Sequence, residues 1–136
     1  MRVVFDTNIV VSASFWRGKP LDCLAAWAAG RCEAAVSPAL LAEYHETMDE
    51  LRREYPCRKP VDWADALGES AELVFPAERA TGATPDPGDE IVLECAIAAE
   101  ADLIVSGDKK HLLRLGAYRD TGIVSPDEFL RRLVGA

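Results

Sequence analysis

Short apolar runs that stop abruptly at polar residues, separated by helix-forming segments, most constrain what this chain can become. Val3-Val4-Phe5 ends at Asp6-Thr7-Asn8, Leu73-Val74-Phe75 ends at Pro76, and Leu103-Ile104-Val105 ends at Ser106-Gly107-Asp108. Glu33-Ala34-Ala35-Val36 and Ile123-Val124 are weaker runs of the same kind. Runs without polar alternation suit strands covered on both faces, as in parallel sheets.

The segments between them read as helices. Leu21 to Ala29 is rich in Ala and Leu and stops at Gly30, a usual helix-end residue. Ser37-Pro38 pairs an N-cap with proline in the first turn, where its missing N–H costs nothing. Beyond it Leu41, Tyr44, Met48 and Leu51 form a stripe at helical spacing. Further helices are expected from Val61 to about Ser70, after residues 76–88 to about Ala101, from Lys109 to Leu115, and after Ser125-Pro126. Residues 76–88, with three prolines and two glycines, read as loop. Strands alternating with helices predict one α/β domain over residues 1–136, a parallel sheet with helices on both faces.

Ligands of an open parallel sheet bind beyond the carboxyl ends of its strands. That edge collects acids. Asp6 follows the first strand directly, and Asp108 follows the Leu103–Val105 strand after two residues. Glu43 sits in the second turn of the helix opened by Ser37, about 105° around from the apolar stripe. Asp89 sits in the first turn of the helix capped by Asp86. Singly, each has an ordinary explanation: a cap, a favourable charge at a helix N-terminus, a solvated surface acid or a turn residue. Together, four carboxylates in one cleft would repel, a conflict that a hard divalent cation removes. Mg²⁺ or Mn²⁺ held this way suits phosphodiester hydrolysis.

Other chemistries lack their residues. His45 and His111 are the only histidines, and no nucleophile elbow, zinc spacing or phosphate-binding glycine loop accompanies them. Cys23, Cys32, Cys57 and Cys95 form no Cys-x-x-Cys pair and read as reduced thiols. The early Asp6 interrupts any signal-peptide core, and no apolar run is long enough to span a membrane, so a cytoplasmic protein is expected.

Net charge bears on the substrate. Lys and Arg number 15 against 23 Asp and Glu, for a formal charge of −8, which on its face argues against nucleic acid. The excess is regional: residues 61–100 hold ten acids and one base, and the remainder is nearly balanced. Arg17 with Lys19, and Lys109 with Lys110 and Arg114, follow the strand ends that carry Asp6 and Asp108. They are the expected phosphate contacts. Phe15-Trp16 are placed to stack on unpaired bases or to pack beneath their loop.

Val3-Val4-Phe5-Asp6-Thr7-Asn8 resembles the opening of PIN-domain ribonucleases. Ser37 to Glu43, Asp86-Pro87-Gly88-Asp89 and Asp102 to Asp108 resemble the segments bearing that family's other acids, in order along the whole chain. The resemblance implies a three-layer α/β/α fold with about five parallel strands. It also implies a Mg²⁺- or Mn²⁺-dependent site and single-stranded RNA as substrate. Asp6, Glu43, Asp89 and Asp108 match the acidic quartet, and Asn8 and Ser106 the supporting polar positions. Many short members are VapC-like toxins of toxin–antitoxin pairs, held by a small antitoxin and frequently homodimeric; Leu24 and Trp27 are the expected apolar faces for self-association, with Trp27 favoured as core. Others process RNA without an antitoxin. Two readings stay open beside the nuclease. One is a phosphotransferase or phosphatase using Asp6 as nucleophile, disfavoured because Asn8 stands where a second Asp is usual. The other is a non-catalytic RNA-binding module.

Overall fold

The computed structural model describes residues 1–135, with Pro87 as backbone only. Strands β1 (Arg2–Phe5), β2 (Glu33–Val36), β3 (Glu72–Leu73), β4 (Leu103–Val105), β5 (Ala117–Tyr118) and β6 (Thr121–Val124) form one sheet in the order β3-β2-β1-β4-β6-β5. Five strands are parallel, as expected, and β5 adds a two-residue antiparallel edge on β6. Val3, Val4, Phe5 and Leu103, Ile104, Val105 are all buried, which explains why these central strands show no polar alternation.

The helices are α1 (Thr7–Phe15), α2 (Lys19–Ala28), α3 (Pro38–Glu54), α4 (Trp63–Ser70), α5 (Pro87–Ala99), α6 (Leu112–Leu115) and α7 (Pro126–Gly135). Helix α1 packs on α2, α3 and α4, while α5 packs on β1, β2 and β4 and α6 on β6, as layers built from the right-handed crossovers usual for parallel strands require. Helix α7 returns to pack on α2, and its Phe129 meets Phe5 edge-on at 6.2 Å. The result is three layers, α/β/α. No described helix is long and apolar enough to cross a membrane.

Several expectations need correction. Helix α1 was not anticipated. Its sequence TNIVVSASF is rich in β-branched residues and buries seven of its nine residues, so it carries no polar face to reveal a helical period. It packs against α2, α3 and α4. Leu73-Val74-Phe75 is not a buried strand. Only Val74 turns inward, whereas Leu73 and Phe75 are 50 % and 71 % exposed, because β3 is the sheet edge. Leu24 is fully buried on the inner side of α2 and offers no face for self-association. Trp27 is half-buried against Trp63, their rings 6.5 Å apart. The segment from Lys109 begins as a turn, and only Leu112–Leu115 is helical.

Candidate active site

The chain runs outward from β1 through β2 to β3, then crosses back to place β4 on the other side of β1. The connections therefore diverge between β1 and β4, and at such a switch point the carboxyl edge of a parallel sheet opens a crevice. Asp6 and Asp108 emerge there. Asp6 N–H still donates to Val105 O at 2.9 Å, so Asp6 extends the sheet ladder while its side chain caps α1.

That cap is well defined. Asp6 Oδ1 accepts from Thr7 N–H at 2.8 Å, and Asp6 Oδ2 accepts from the Ser106 hydroxyl at 2.7 Å. Ser106 is fully buried and its Oγ also accepts from Asp108 N–H at 3.0 Å. Asn8 Oδ1 accepts from Gly107 N–H at 3.1 Å, fastening the first turn of α1 to the loop after β4. Of the two polar residues, Ser106 bonds Asp6 and the Asp108 backbone directly, whereas Asn8 bonds only the backbone of Gly107.

Helix α3 brings Glu43 across. Ser37 caps its N-terminus by accepting from Leu40 N–H at 3.2 Å. Buried Tyr44 donates its hydroxyl to Phe5 O, pinning the second turn of α3 to the end of β1. Glu43 then faces the crevice, where its Oε2 accepts from the Thr7 hydroxyl. On the other side Asp86 caps α5 by accepting from Gly88 N–H at 3.0 Å, and α5 points Asp89 inward. A side chain at Gly88 would narrow this wall: its Cβ would lie 3.4 Å from Asp86 Oδ1 and 3.5 Å from Glu43 Oε1.

All four expected carboxylates line one cavity of about 450 Å³, together with Thr7, Asn8, Thr47, Asp86, Gly88 and His111. Asp6 and Asp89 are only 5 % and 7 % exposed. Burial pushes the Asp6 carboxyl up to about 6, against the lowering hydrogen bonds of Ser106 and Thr7, with Glu43 and Asp108 adding repulsion. Burial, the adjoining Asp108 carboxyl and the charges of Asp6 and Asp86 push Asp89 up to about 7. For Asp108, burial opposes ionisation but is outweighed by hydrogen bonding from Asp89, the backbone N–H groups of His111 and Leu112, and the His111 charge, so its carboxyl is held below the usual value. The two neighbouring carboxyls are thus pushed in opposite directions, Asp89 upward and Asp108 downward.

The donor set fits a divalent cation. It is dominated by hard carboxylate oxygens, and the buried Asp89 Oδ2 has no hydrogen-bond partner, a costly arrangement in the absence of a ligand. Asp86, Asp89 and His111 also bring ligand atoms within 4.8 Å of one another. Asp86 caps α5 as its sequence position suggests, and His111, placed by the sequence on a helix near phosphate, lines the same cavity. His111 Nδ1 lies 3.3 Å from Asp108 Oδ2 and 3.7 Å from Asp89 Oδ2. Its position follows from a side-chain turn in which Asp108 Oδ1 accepts from the Lys110 and His111 N–H groups, both at 3.2 Å.

The cations divide. Lys109 and Lys110 are exposed directly after Asp108. Lys110 and Arg114 line an adjoining groove of about 330 Å³ that shares His111 with the carboxylate cavity. Arg17 and Lys19 are not beside Asp6, because α1 carries the chain about 13 Å onward before Arg17 is reached. Lys19 there pairs with Asp127. Phe15 is buried, and Trp16 packs against Phe15, Tyr55 and the Arg58 guanidinium, so this pair packs beneath its loop.

No curated protein and no solved structure gave a significant match to the chain. A family model described as PIN domain matches residues 2–110, a span that opens on β1 and contains all four carboxylates. With most of its length accounted for in this way, the chain belongs to the PIN-domain family, a family of nuclease fold.

Proposed function

We propose that this protein is an endoribonuclease that cuts single-stranded RNA and depends on Mg²⁺ or Mn²⁺ held by Asp6, Glu43, Asp89 and Asp108. One observation carries the reading: these carboxylates, contributed by four separate elements, converge on one cavity in which Asp89 Oδ2 is buried without a partner. When bound, the metal supplies a polarised water and a counter-charge for the scissile phosphodiester. In the reaction the water oxygen bonds to phosphorus as one ester P–O bond breaks, giving a hydroxyl end and a phosphate end.

The protein's own groups have distinct tasks in this scheme. Ser106 aims Asp6 and fixes the backbone of Asp108. Thr7 holds one oxygen of Glu43 and leaves the other toward the cavity. Lys109, Lys110 and Arg114 supply the positive charge that an RNA backbone requires near a carboxylate site. The experiment is cleavage of an unstructured RNA, and of DNA of the same sequence, by purified protein with Mg²⁺, with Mn²⁺ and with EDTA. Metal-dependent cutting of the RNA, lost in Asp6→Asn, is expected. Equal activity in EDTA or in the variant refutes the reading.

For the cellular role we propose a VapC-like toxin restrained by a small antitoxin and acting as a homodimer. Support comes from the cleft, which opens to solvent and so is accessible to a covering partner segment. Induction in a bacterial host should arrest growth, and Asp6→Asn should not. Growth unaffected by the active protein favours an RNA-processing role instead.

A further inference from the structure

We infer that Asp86, Asp89 and His111 form a second cation site inside the cleft, one that selects a transition metal such as Mn²⁺ over Mg²⁺. This inference rests on the same cavity as the proposed nuclease but concerns different ligands. Asp86 and His111 stand outside the acidic quartet, and only Asp89 is shared.

Three observations support it. Ligand atoms of the three residues lie within 4.8 Å of one another, while donors about 2.1 Å from one ion are at most about 4.2 Å apart, so a small closure suffices. Asp89 Oδ2, buried and without a hydrogen-bond partner, faces His111 Nδ1 at 3.7 Å. That separation is too long for a hydrogen bond, but it is within the reach of two ligands on one ion. Finally, Asp86 uses Oδ1 to cap α5, which leaves Oδ2 available to the cavity. The cap therefore orients the ligand and does not compete with it.

The donor types then decide the metal. An imidazole nitrogen best suits Zn²⁺, Fe²⁺, Ni²⁺ and Cu²⁺, and Mn²⁺, though carboxylate-binding, accepts one more readily than Mg²⁺, which keeps an oxygen shell. Asp6, Glu43 and Asp108 offer only oxygen. The cleft is thus two-sided, with a hard subsite against β1 and a softer one between α5 and the Asp108–His111 turn.

The test is metal binding by the intact protein without RNA, using Mn²⁺ and Mg²⁺ alone as probes. Calorimetry should find a Mn²⁺ site that His111→Asn weakens at least tenfold, with Mg²⁺ affinity changed less than twofold. Asp86→Asn, which keeps a competent helix cap, should weaken the same Mn²⁺ site. Pulsed electron paramagnetic resonance of bound Mn²⁺ should show nitrogen coupling in the wild type and none in His111→Asn. Unchanged Mn²⁺ affinity in His111→Asn, an equal loss for both metals, or no nitrogen coupling in the wild type would overturn the inference. A protein that binds Mn²⁺ through His111 yet cuts no RNA would refute the nuclease proposal and leave this one standing.

Discussion

The Ser106 hydroxyl donates a 2.7 Å hydrogen bond to Asp6 Oδ2, joining the ends of β1 and β4 across a sequence separation of 100 residues. The same oxygen accepts from Asp108 N–H. A hydroxyl has one donor and two acceptor positions, so a single buried side chain sets the orientation of one carboxylate and the backbone of another.

Ser106→Ala should therefore leave the fold intact and loosen the site. The fully buried position tolerates the smaller residue, at a cost of about 1–3 kcal/mol for the unpaired groups left behind. Loss of a partner that orients a metal ligand typically lowers metal affinity or activity 10–100-fold. Calorimetric Mg²⁺ titration and cleavage rates at saturating metal check this. Unchanged values in both would show that Asp6 is held by Thr7 alone.

Stability should fall as pH rises when metal is absent. The Asp6 and Asp89 carboxyls titrate near 6 and 7 in the folded protein, against about 4 in an unfolded chain. Between pH 4 and 7 the folded state thus binds more protons than the unfolded state, and unfolding free energy decreases with pH. The stabilisation is complete below about pH 4 and is lost as pH passes 6 to 7. In EDTA the melting temperature should drop by several degrees from pH 5.5 to pH 8, and saturating Mn²⁺ should recover it at pH 8. A melting temperature in EDTA that climbs over this range contradicts the assigned burial of these acids.

Legibility in the sequence followed local chemistry. Buried strands such as Val3–Phe5 and Leu103–Val105 advertise themselves by unbroken apolar residues, and the acids that end them mark the sheet edge. Ser37 and Asp86 signal helix starts through capping chemistry that acts over two or three residues, and both caps are present. Features set by tertiary surroundings were hidden. Helix α1 is enclosed by three other helices, so its sequence lacks the polar face that reveals a period. Leu73 and Phe75 look like core, yet their strand lies at the sheet edge, a fact of strand order and not of composition. His111 enters the site only because Asp108 turns the following backbone back upon itself. Missing α1 also displaced Arg17 and Lys19 in the sequence reading, since the helix separates them from Asp6.

Asp6→Asn should abolish cleavage and make the metal-free protein more stable. Asn removes a buried charge while retaining an acceptor for Ser106 or Thr7 N–H. The gain follows from desolvation, the largest cause of the raised Asp6 carboxyl, and should be about 1–3 kcal/mol at pH 8. Thermal melts in EDTA at pH 8 and pH 5 check it. The variant's advantage should shrink at pH 5, where the wild-type acid is itself largely protonated. An Asp6→Asn variant less stable than wild type at pH 8 contradicts the prediction.

Tyr44→Phe isolates the coupling between α3 and β1. The hydroxyl donates to Phe5 O in a fully buried setting, so its removal should cost about 1–3 kcal/mol by leaving a buried carbonyl unpaired. Phe5 precedes Asp6, and Tyr44 follows Glu43, so the variant should also reduce the cleavage rate at saturating RNA more than it changes KM. Denaturant unfolding and steady-state kinetics separate the effects. Lost stability with an unchanged rate would assign the bond to the fold alone.

RNA contacts should be distinguishable by their salt dependence. Lys109 and Lys110 are exposed next to Asp108, whereas Lys19 lies beyond α1 and is paired with Asp127. Each lysine that neutralises an RNA phosphate contributes about 0.7 to the slope of log affinity against log salt for a single strand. Lys109→Gln and Lys110→Gln should each weaken binding to single-stranded RNA at low salt and flatten that slope by nearly this amount. Lys19→Gln should leave both unchanged. Binding is best measured by fluorescence anisotropy in Asp6→Asn, which holds the RNA uncut, over about 50–300 mM salt. If Lys19→Gln flattened the slope and the other two did not, the RNA would run along the outer end of α1. The groove lined by Lys110 and Arg114 would then not be its path.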